Sequence, residues 1–402
     1  MLAFATTKDL SSDRTLTIGA YVSFIPVGIA TVLLGPMLPS LSARWSMNYS
    51  QAGALFTAQY FASTCAVALS GVLAARWGYR FAIKFGLLLI AVGLALLLSG
   101  PKWVGILCIA AYGAGLGIAV PAANLAVADA NPERRSAALN LLNFFWSMGA
   151  VACPFLVAAA AKGNRLPLFL ISVSGFSLLV AFGIALMAAD IVEPSSKQEA
   201  GAKIVPVIQA QLSAFLVLAA LFFLYVGTEN AFGGWVASYA KTLPSLTPAM
   251  SLRTPSFFYA ALMLGRWIAP LLLRRVDEVR LVQLGLILAC AGSGGLVLSH
   301  DLSSVVASAC AAGFGLSAVY PITIALLSHQ FGAASSQIGS FMFVLSNIGG
   351  GLLPWIVGLL SNHAGRLSSG LFVPLSGCAL MFVLFLRGFR KATKTTTMVG
   401  SS

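Results

Sequence analysis

Gly113-Ala114-Gly115-Leu116-Gly117-Ile118-Ala119-Val120-Pro121 returns two hundred residues later as Gly313-Phe314-Gly315-Leu316-Ser317-Ala318-Val319-Tyr320-Pro321. The same offset sets Ser136 against Ser336, Gly149 against Gly349 and Pro154 against Pro354. Glycines and prolines matching at one fixed spacing, across two neighbouring apolar stretches, mark a duplicated unit. Each copy lies in a long apolar block, so the first question is what solvent those blocks face.

Composition answers it. Of 402 residues, 59% are hydrophobic and 9% charged, against roughly 45–50% and about 25% in soluble domains. So few charges cannot solvate a globular surface of this size. Disorder, collagen and a disulfide scaffold are excluded on the same grounds. A membrane β-barrel needs alternating strands of about ten residues, and these apolar runs are longer and do not alternate. The chain therefore reads as an all-α membrane protein. Its net charge of +13 sits between apolar blocks rather than along one face, which reads as topology and not as nucleic-acid binding. Six cysteines, Cys65, Cys108, Cys153, Cys290, Cys310 and Cys378, are scattered through apolar stretches without a CxxC pair. They read as buried small hydrophobes, with no metal, disulfide or cofactor expected.

A helix crosses a bilayer in about 20 apolar residues. Apolar runs broken by charges give twelve spans: 16–42, 51–75, 82–99, 103–128, 136–160, 167–189, 211–241, 253–273, 281–299, 302–328, 335–361 and 369–388. The longest polar stretch runs from Asp190 to Lys203 and divides the set in half. Residues 1–190 are expected to form an N-terminal six-helix bundle, 191–210 a cytoplasmic linker, and 211–402 a C-terminal six-helix bundle with a cytoplasmic tail. With both termini inside, 16 of the 24 Lys and Arg residues fall in inside segments and seven outside, and Arg266 falls within a span. That bias favours cytoplasmic termini, in an inner or plasma membrane. A six-span unit repeated in parallel is a transporter plan, with the solute held near the midplane between halves.

Gly71-Val72-Leu73-Ala74-Ala75-Arg76-Trp77-Gly78-Tyr79-Arg80 follows the second span. It resembles the loop signature of the major facilitator superfamily, in which a glycine allows close helix contact and basic residues form a tight cytoplasmic turn. The family's acidic residue falls at Ala75. Gly71, Arg76, Gly78 and Arg80 are thus expected in a gating loop; positive-inside anchoring by Arg76, Arg80 and Lys84 is the plainer alternative. Gly265-Arg266-Trp267 through Arg274-Arg275 is a degenerate second copy. A more specific resemblance is to the fucose:proton symporter branch, which includes sodium-dependent glucose transporter-like proteins. It rests on Tyr225-Val226-Gly227-Thr228-Glu229-Asn230 with Gly233-Gly234-Trp235 and Tyr239, on Gly115-Leu116-Gly117 with Ala122-Ala123-Asn124, on Leu139 to Asn143 with Gly149-Ala150, and on Leu264 to Trp267. The resemblance implies import of a hexose or similar polyol with protons or sodium. The branch's fourth-span acid falls at Val120, and residues 15–42 hold no Asp or Glu. Coupling, if present, must use another ionisable group.

Glu229 is the acidic residue expected deepest in a span. A carboxylate there is costly when ionised, so it must be paired, neutral or facing water. It is the candidate coupling residue; a neutral Glu bonded to helix backbone is the alternative. Arg266 either snorkels to the cytoplasmic face or pairs with a carboxylate. Asp129 and its repeat mate His329 read as inside-surface residues. Sugars present hydroxyls that need amides, and C–H faces that pack on aromatic rings. The expected solute-binding set is Gln59, Asn124, Asn140, Asn143, Glu229, Asn230, Trp235, Tyr259 and Asn347. Asn140 and Asn143 share a helix face. Each amide could instead be interhelical glue worth about 0.6 kcal/mol, and Trp355 reads as interface or packing. No Walker A sequence, Ser/His/Asp arrangement or metal spacing occurs, so no enzyme is expected. The reading is a monomeric alternating-access transporter of a sugar-like solute in the lipid bilayer, with proton or sodium coupling. Alternatives are a sugar uniporter, a drug or metabolite exporter of the same fold, and a non-transporting sensor or scaffold.

Overall fold

Three of the expected spans are each built from two helices, and in every case a proline stands just after the break. The computed structural model describes residues 7–186 and 204–388, all of the regular structure among them helical. The first span is α1 (Thr7–Val32) and α2 (Leu34–Arg44); Pro36 has no N–H to offer the Val32 carbonyl. The tenth is α11 (Leu302–Leu316) and α12 (Val319–Phe331), with Pro321 four residues after Ser317. The twelfth is α14 (Leu367–Gly370) and α15 (Phe372–Gly388), with Pro374 four after Gly370. Hydropathy reads straight through such breaks, because the side chains stay apolar while one backbone bond is lost.

Spans two and three run as one element, α3 (Tyr49–Leu96). At 1.5 Å per residue, 48 residues would stretch about 72 Å, more than twice a hydrocarbon core. Gly78 divides it, with φ 81° and ψ 164°, a conformation essentially reserved for glycine. The fourth to sixth spans are α4 (Lys102–Ala130), α5 (Arg135–Lys162) and α6 (Leu166–Leu186). In the second half, α7 (Ile204–Ala210) precedes α8 (Leu212–Ala240), α9 (Pro248–Leu272), α10 (Glu278–Val297) and, after α12, α13 (Ser335–Ala364). Helix α9 starts five residues before the expected eighth span. Thr247 caps it, accepting from Met250 N–H, and Pro248 takes the first position, where a missing N–H costs nothing. Helix α7 occupies 204–210, where linker was expected. Residues 187–203 and the tail from 389 lie outside the described residues.

Among the described residues, ten helices are long and apolar enough to cross a membrane. Helix α3 counts once there though it holds two expected spans, and α9, which carries Arg253 and Arg266, is not among them. On α6, Leu168, Ile171, Leu179, Phe182 and Leu186 are exposed. In water that stripe would be an aggregation site; in lipid it is the expected surface.

The repeat seen in sequence is a repeat of contacts. A Cβ on Gly113 would strike the Gln59 carbonyl, and one on Gly313 the Phe258 carbonyl. Gly115 lies against the backbone of Gly86, and Gly315 against that of Gly285. Gly149 faces the Ile25 carbonyl, and Gly349 that of Phe223. Each half thus holds its own helices at backbone distance with the same glycines. The 3-10 turns Pro132–Arg134 and Gly332–Ala334 also stand at the 200-residue offset.

Two compact units result. One comprises Met1–Met37 and Ala58–Ala200, the other Leu38–Thr57 and Gly201–Ser402. Within the second, Gly53 abuts the Pro354 carbonyl and Trp355 backbone, Gly358 abuts the Tyr49 carbonyl, and Gly234 abuts the Phe56 ring. Thr57 Oγ1 donates to the Gly351 carbonyl at 3.2 Å.

Candidate functional site

In the first unit, four helices contribute to one hydrogen-bonded chain. Gln59 of α3 donates through Nε2 to the Thr31 carbonyl of α1 at 3.3 Å. Its Oε1 accepts from the Tyr112 hydroxyl of α4 at 3.2 Å. The Trp146 indole N–H of α5 donates to Thr31 Oγ1 at 3.3 Å, and that hydroxyl donates to the Val27 carbonyl at 2.7 Å. Gln59 and Tyr112 are buried, whereas Thr31 and Trp146 are half-buried. The chain carries no formal charge. Asn143 precedes Trp146 by three residues and so adjoins it on α5. It is exposed, as is Asn140, and its Nδ2 donates to the Leu139 carbonyl at 2.9 Å. Asn124 is half-buried, with Nδ2 on the Val120 carbonyl at 2.8 Å.

In the second unit the charges gather. Arg266 of α9 stands 3.9 Å from the Glu229 carboxylate of α8 and donates to the Tyr225 hydroxyl at 3.1 Å. Tyr225 lies one turn before Glu229 on the same face, and its ring stacks on Tyr320 of α12 at 5.2 Å between centroids. The Arg266 and Glu229 side chains are 21% and 12% exposed, closed enough for their charges to interact strongly. Of the two readings for Arg266, the structure takes the pair rather than the snorkel, and Glu229 has a partner. Asn230 is half-buried with Nδ2 on the Val226 carbonyl at 2.8 Å, and Asn347 is half-buried on α13.

Two of the aromatic candidates are buried. Trp235 is 1% exposed; its N–H donates to the Pro354 carbonyl at 2.9 Å and its ring meets Tyr49 edge-on. Tyr259 is 4% exposed, packed against Gly233 and, at 79°, against Phe258. Both rings are buried within the second unit. Trp355 is half-buried beside Gly53.

The loop motif also differs from its expectation. A Cβ on Gly71 would meet nothing within 4 Å, so this glycine mediates no close helix contact. Gly78 makes the turn through its backbone conformation. Arg76 is exposed, but Arg80 is buried at 6% exposure and is no simple surface anchor. Between them and α4, the Tyr79 hydroxyl donates to Asp129 at 2.6 Å, so Asp129 is held rather than a loose surface charge. Gly265 packs against the Ser317 side chain.

Sequence reasoning missed Thr31, Tyr112 and Trp146 in the first unit and Tyr225 and Tyr320 in the second. Two signals were available: Tyr225 stands at i−4 from Glu229, and Trp146 at i+3 from Asn143. Thr31 offered none, since a single threonine in an apolar run is ordinary.

The chain is 26% identical over 371 residues to a glucose/galactose transporter of Brucella abortus, covering 85% of this chain and 86% of that one. It is 25% identical over 415 residues to the L-fucose-proton symporter of Escherichia coli, covering 91% of each. Its fold is similar to that of a D-xylose-proton symporter of known structure, with a TM-score of 0.76 at 14% identity, over 94% of this chain and 98% of the other. Residues 20–354 match the family model of the Major Facilitator Superfamily; with the duplicated helical units and lipid-facing stripes described above, the chain belongs to that superfamily and is an integral, multi-pass membrane transporter.

Proposed function

We propose that the chain moves a neutral hexose or related sugar by alternating access, with proton coupling through Glu229. The observation that carries the sugar reading is the uncharged hydrogen-bonding set of the first unit. Amide, hydroxyl and indole groups converge from four spans, with Asn140 and Asn143 exposed on α5 beside them. Such groups match the paired donor and acceptor demands of a polyol. An exporter of apolar drugs would be served by aromatic, amide-poor walls instead. The named activities of relatives that span most of the chain, glucose/galactose transport and fucose-proton symport, support the same substrate class. Proton coupling draws on the Glu229–Arg266 pair. A carboxylate that can exchange a proton for a cationic partner gives a span two states, and substrate can bias them. The solute leaves chemically unchanged, so no enzymatic step is invoked. Counterflow in proteoliposomes loaded with D-glucose, D-galactose or L-fucose, with and without proton and sodium gradients, tests the reading. Saturable exchange of at least one sugar is the expected result. Exchange only of nucleosides or apolar drugs overturns the substrate class, and no flux of any kind favours the sensor or scaffold alternative.

A further inference from the structure

We propose that the second unit carries a phospholipid headgroup site at its outer end, with Arg366 as the ligand of the lipid phosphate. The proposal stands whichever solute is moved. A cavity of about 410 Å3 opens there, within the span of roughly 300–1,000 Å3 usual for small-molecule sites. Four segments distant in sequence close it: Tyr49 at the start of α3, Tyr239 with the turn after α8, the end of α10 through His300, and the turn from α13 to α14. All four belong to the second unit. By the basic-residue bias these helix ends lie outside, at the depth of the headgroups, where tyrosine rings are favoured.

The cavity has two kinds of wall. Leu243, Val297 and Leu367 make one side apolar, while His300, Arg366 and Ser368 supply donors on the other. The framework beneath is fixed. The Tyr239 hydroxyl donates to the Val297 and Ser299 carbonyls at 3.2 Å, and Ser245 Oγ donates to the His300 carbonyl at 2.7 Å. Gly365, at φ 67°, ends α13 in the left-handed conformation that glycine adopts freely, and Arg366 follows it. Arg366 Nε donates to Ser369 Oγ at 3.0 Å, which orients the guanidinium. Among the described residues no carboxylate pairs with Arg366 or His300. Asp301, beside His300 in the chain, has both carboxylate oxygens engaged by Ser303 and Ser304 as the cap of α11. An oriented guanidinium without an acidic partner suits phosphate oxygens, which its planar fork can meet in pairs. The apolar wall beside it suits the glycerol and first methylenes of a lipid, which a free anion lacks.

The test titrates the full chain, purified in nonionic detergent, with dioctanoyl phosphatidylglycerol and follows thermal unfolding. Saturable stabilisation is expected. Dioctanoylglycerol, which has no phosphate, should leave the midpoint unchanged. Arg366→Gln should weaken the phosphatidylglycerol titration about tenfold or more. Arg366→Lys, which keeps the charge without the fork, should fall between. Lys241→Gln removes the same charge from an exposed residue outside the cavity wall and should match wild type. Each variant is referred to its own lipid-free midpoint, so a change in intrinsic stability drops out. An Arg366→Gln titration within about twofold of wild type, or an equal loss in Lys241→Gln, overturns the site, because the lipid then senses only general surface charge. Equal stabilisation by dioctanoylglycerol overturns the phosphate ligand. Sodium phosphate that saturates at the concentration of the lipid overturns the lipid source, since the apolar wall then adds nothing.

Discussion

Arg266 and Glu229 stand 3.9 Å apart, beyond the 2.7–2.9 Å of a charge-assisted hydrogen bond, with the Tyr225 hydroxyl as the direct partner of the guanidinium. The attraction across that gap matters because few waters screen it. Removing one partner strands the other charge, which is more damaging than removing both. Arg266→Gln should therefore destabilise the protein by about 3 kcal/mol, and adding Glu229→Gln to it should recover part of the loss, read by thermal unfolding in detergent. Glu229→Gln alone copies the protonated carboxyl without titrating. It should keep counterflow and lose accumulation driven by a pH gradient; sustained accumulation would place coupling elsewhere. How such a cluster could be read from sequence depends on the residue. Glu229 was legible because a carboxylate deep in an apolar run has few explanations. Arg266 was half-legible, since a basic residue two turns from Arg274 can reach either way. Tyr320 was not, because its stacking on Tyr225 depends on how α12 and α8 are rotated, which no local pattern records.

At the scale of the helix, glycine carries two different kinds of information that look alike in sequence. Gly149 and Gly349 each face a carbonyl of a neighbouring helix, so a methyl group there must push two backbones apart. Gly149→Ala and Gly349→Ala should each cost about 1–3 kcal/mol, the ordinary price of overpacking. Gly71, in the loop motif, meets nothing within 4 Å and sits inside a helix, where alanine is favoured by about 0.5–1 kcal/mol. Gly71→Ala should be neutral or stabilising; a melting temperature lowered like that of Gly149→Ala would return it to a packing role. The fixed offset of 200 residues distinguished the packing glycines, since both copies kept them. Proline worked the other way. Pro36, Pro321 and Pro374 divide three spans that hydropathy had joined, because hydropathy weighs side chains and a helix break is a missing backbone donor.

For the whole molecule, the balance of basic residues in loops predicts which ends of the helices share a side of the membrane. Glu133, in the turn between α4 and α5, should lie in the cytoplasm, and Asn164, between α5 and α6, outside. Single cysteines at those positions should react with an impermeant thiol reagent from opposite sides, Asn164→Cys in intact cells and Glu133→Cys only after permeabilisation. Labelling of both in intact cells would break the assigned orientation. The all-helical membrane fold was legible, because apolar length and charge are written residue by residue. The membership of residues 38–57 was not, because it depends on Gly53, Gly358 and Gly234 meeting partners far away in the chain. Those twenty residues, encoded in the first half, complete the second unit. A fragment begun at Gly201 would carry bare backbone where Tyr49 abuts Gly358, and an indole edge where Tyr49 covers Trp235. The halves are alike in plan but unequal in independence: the later one borrows its finishing piece from the earlier, so a ribosome has already made that piece long before the unit it completes exists.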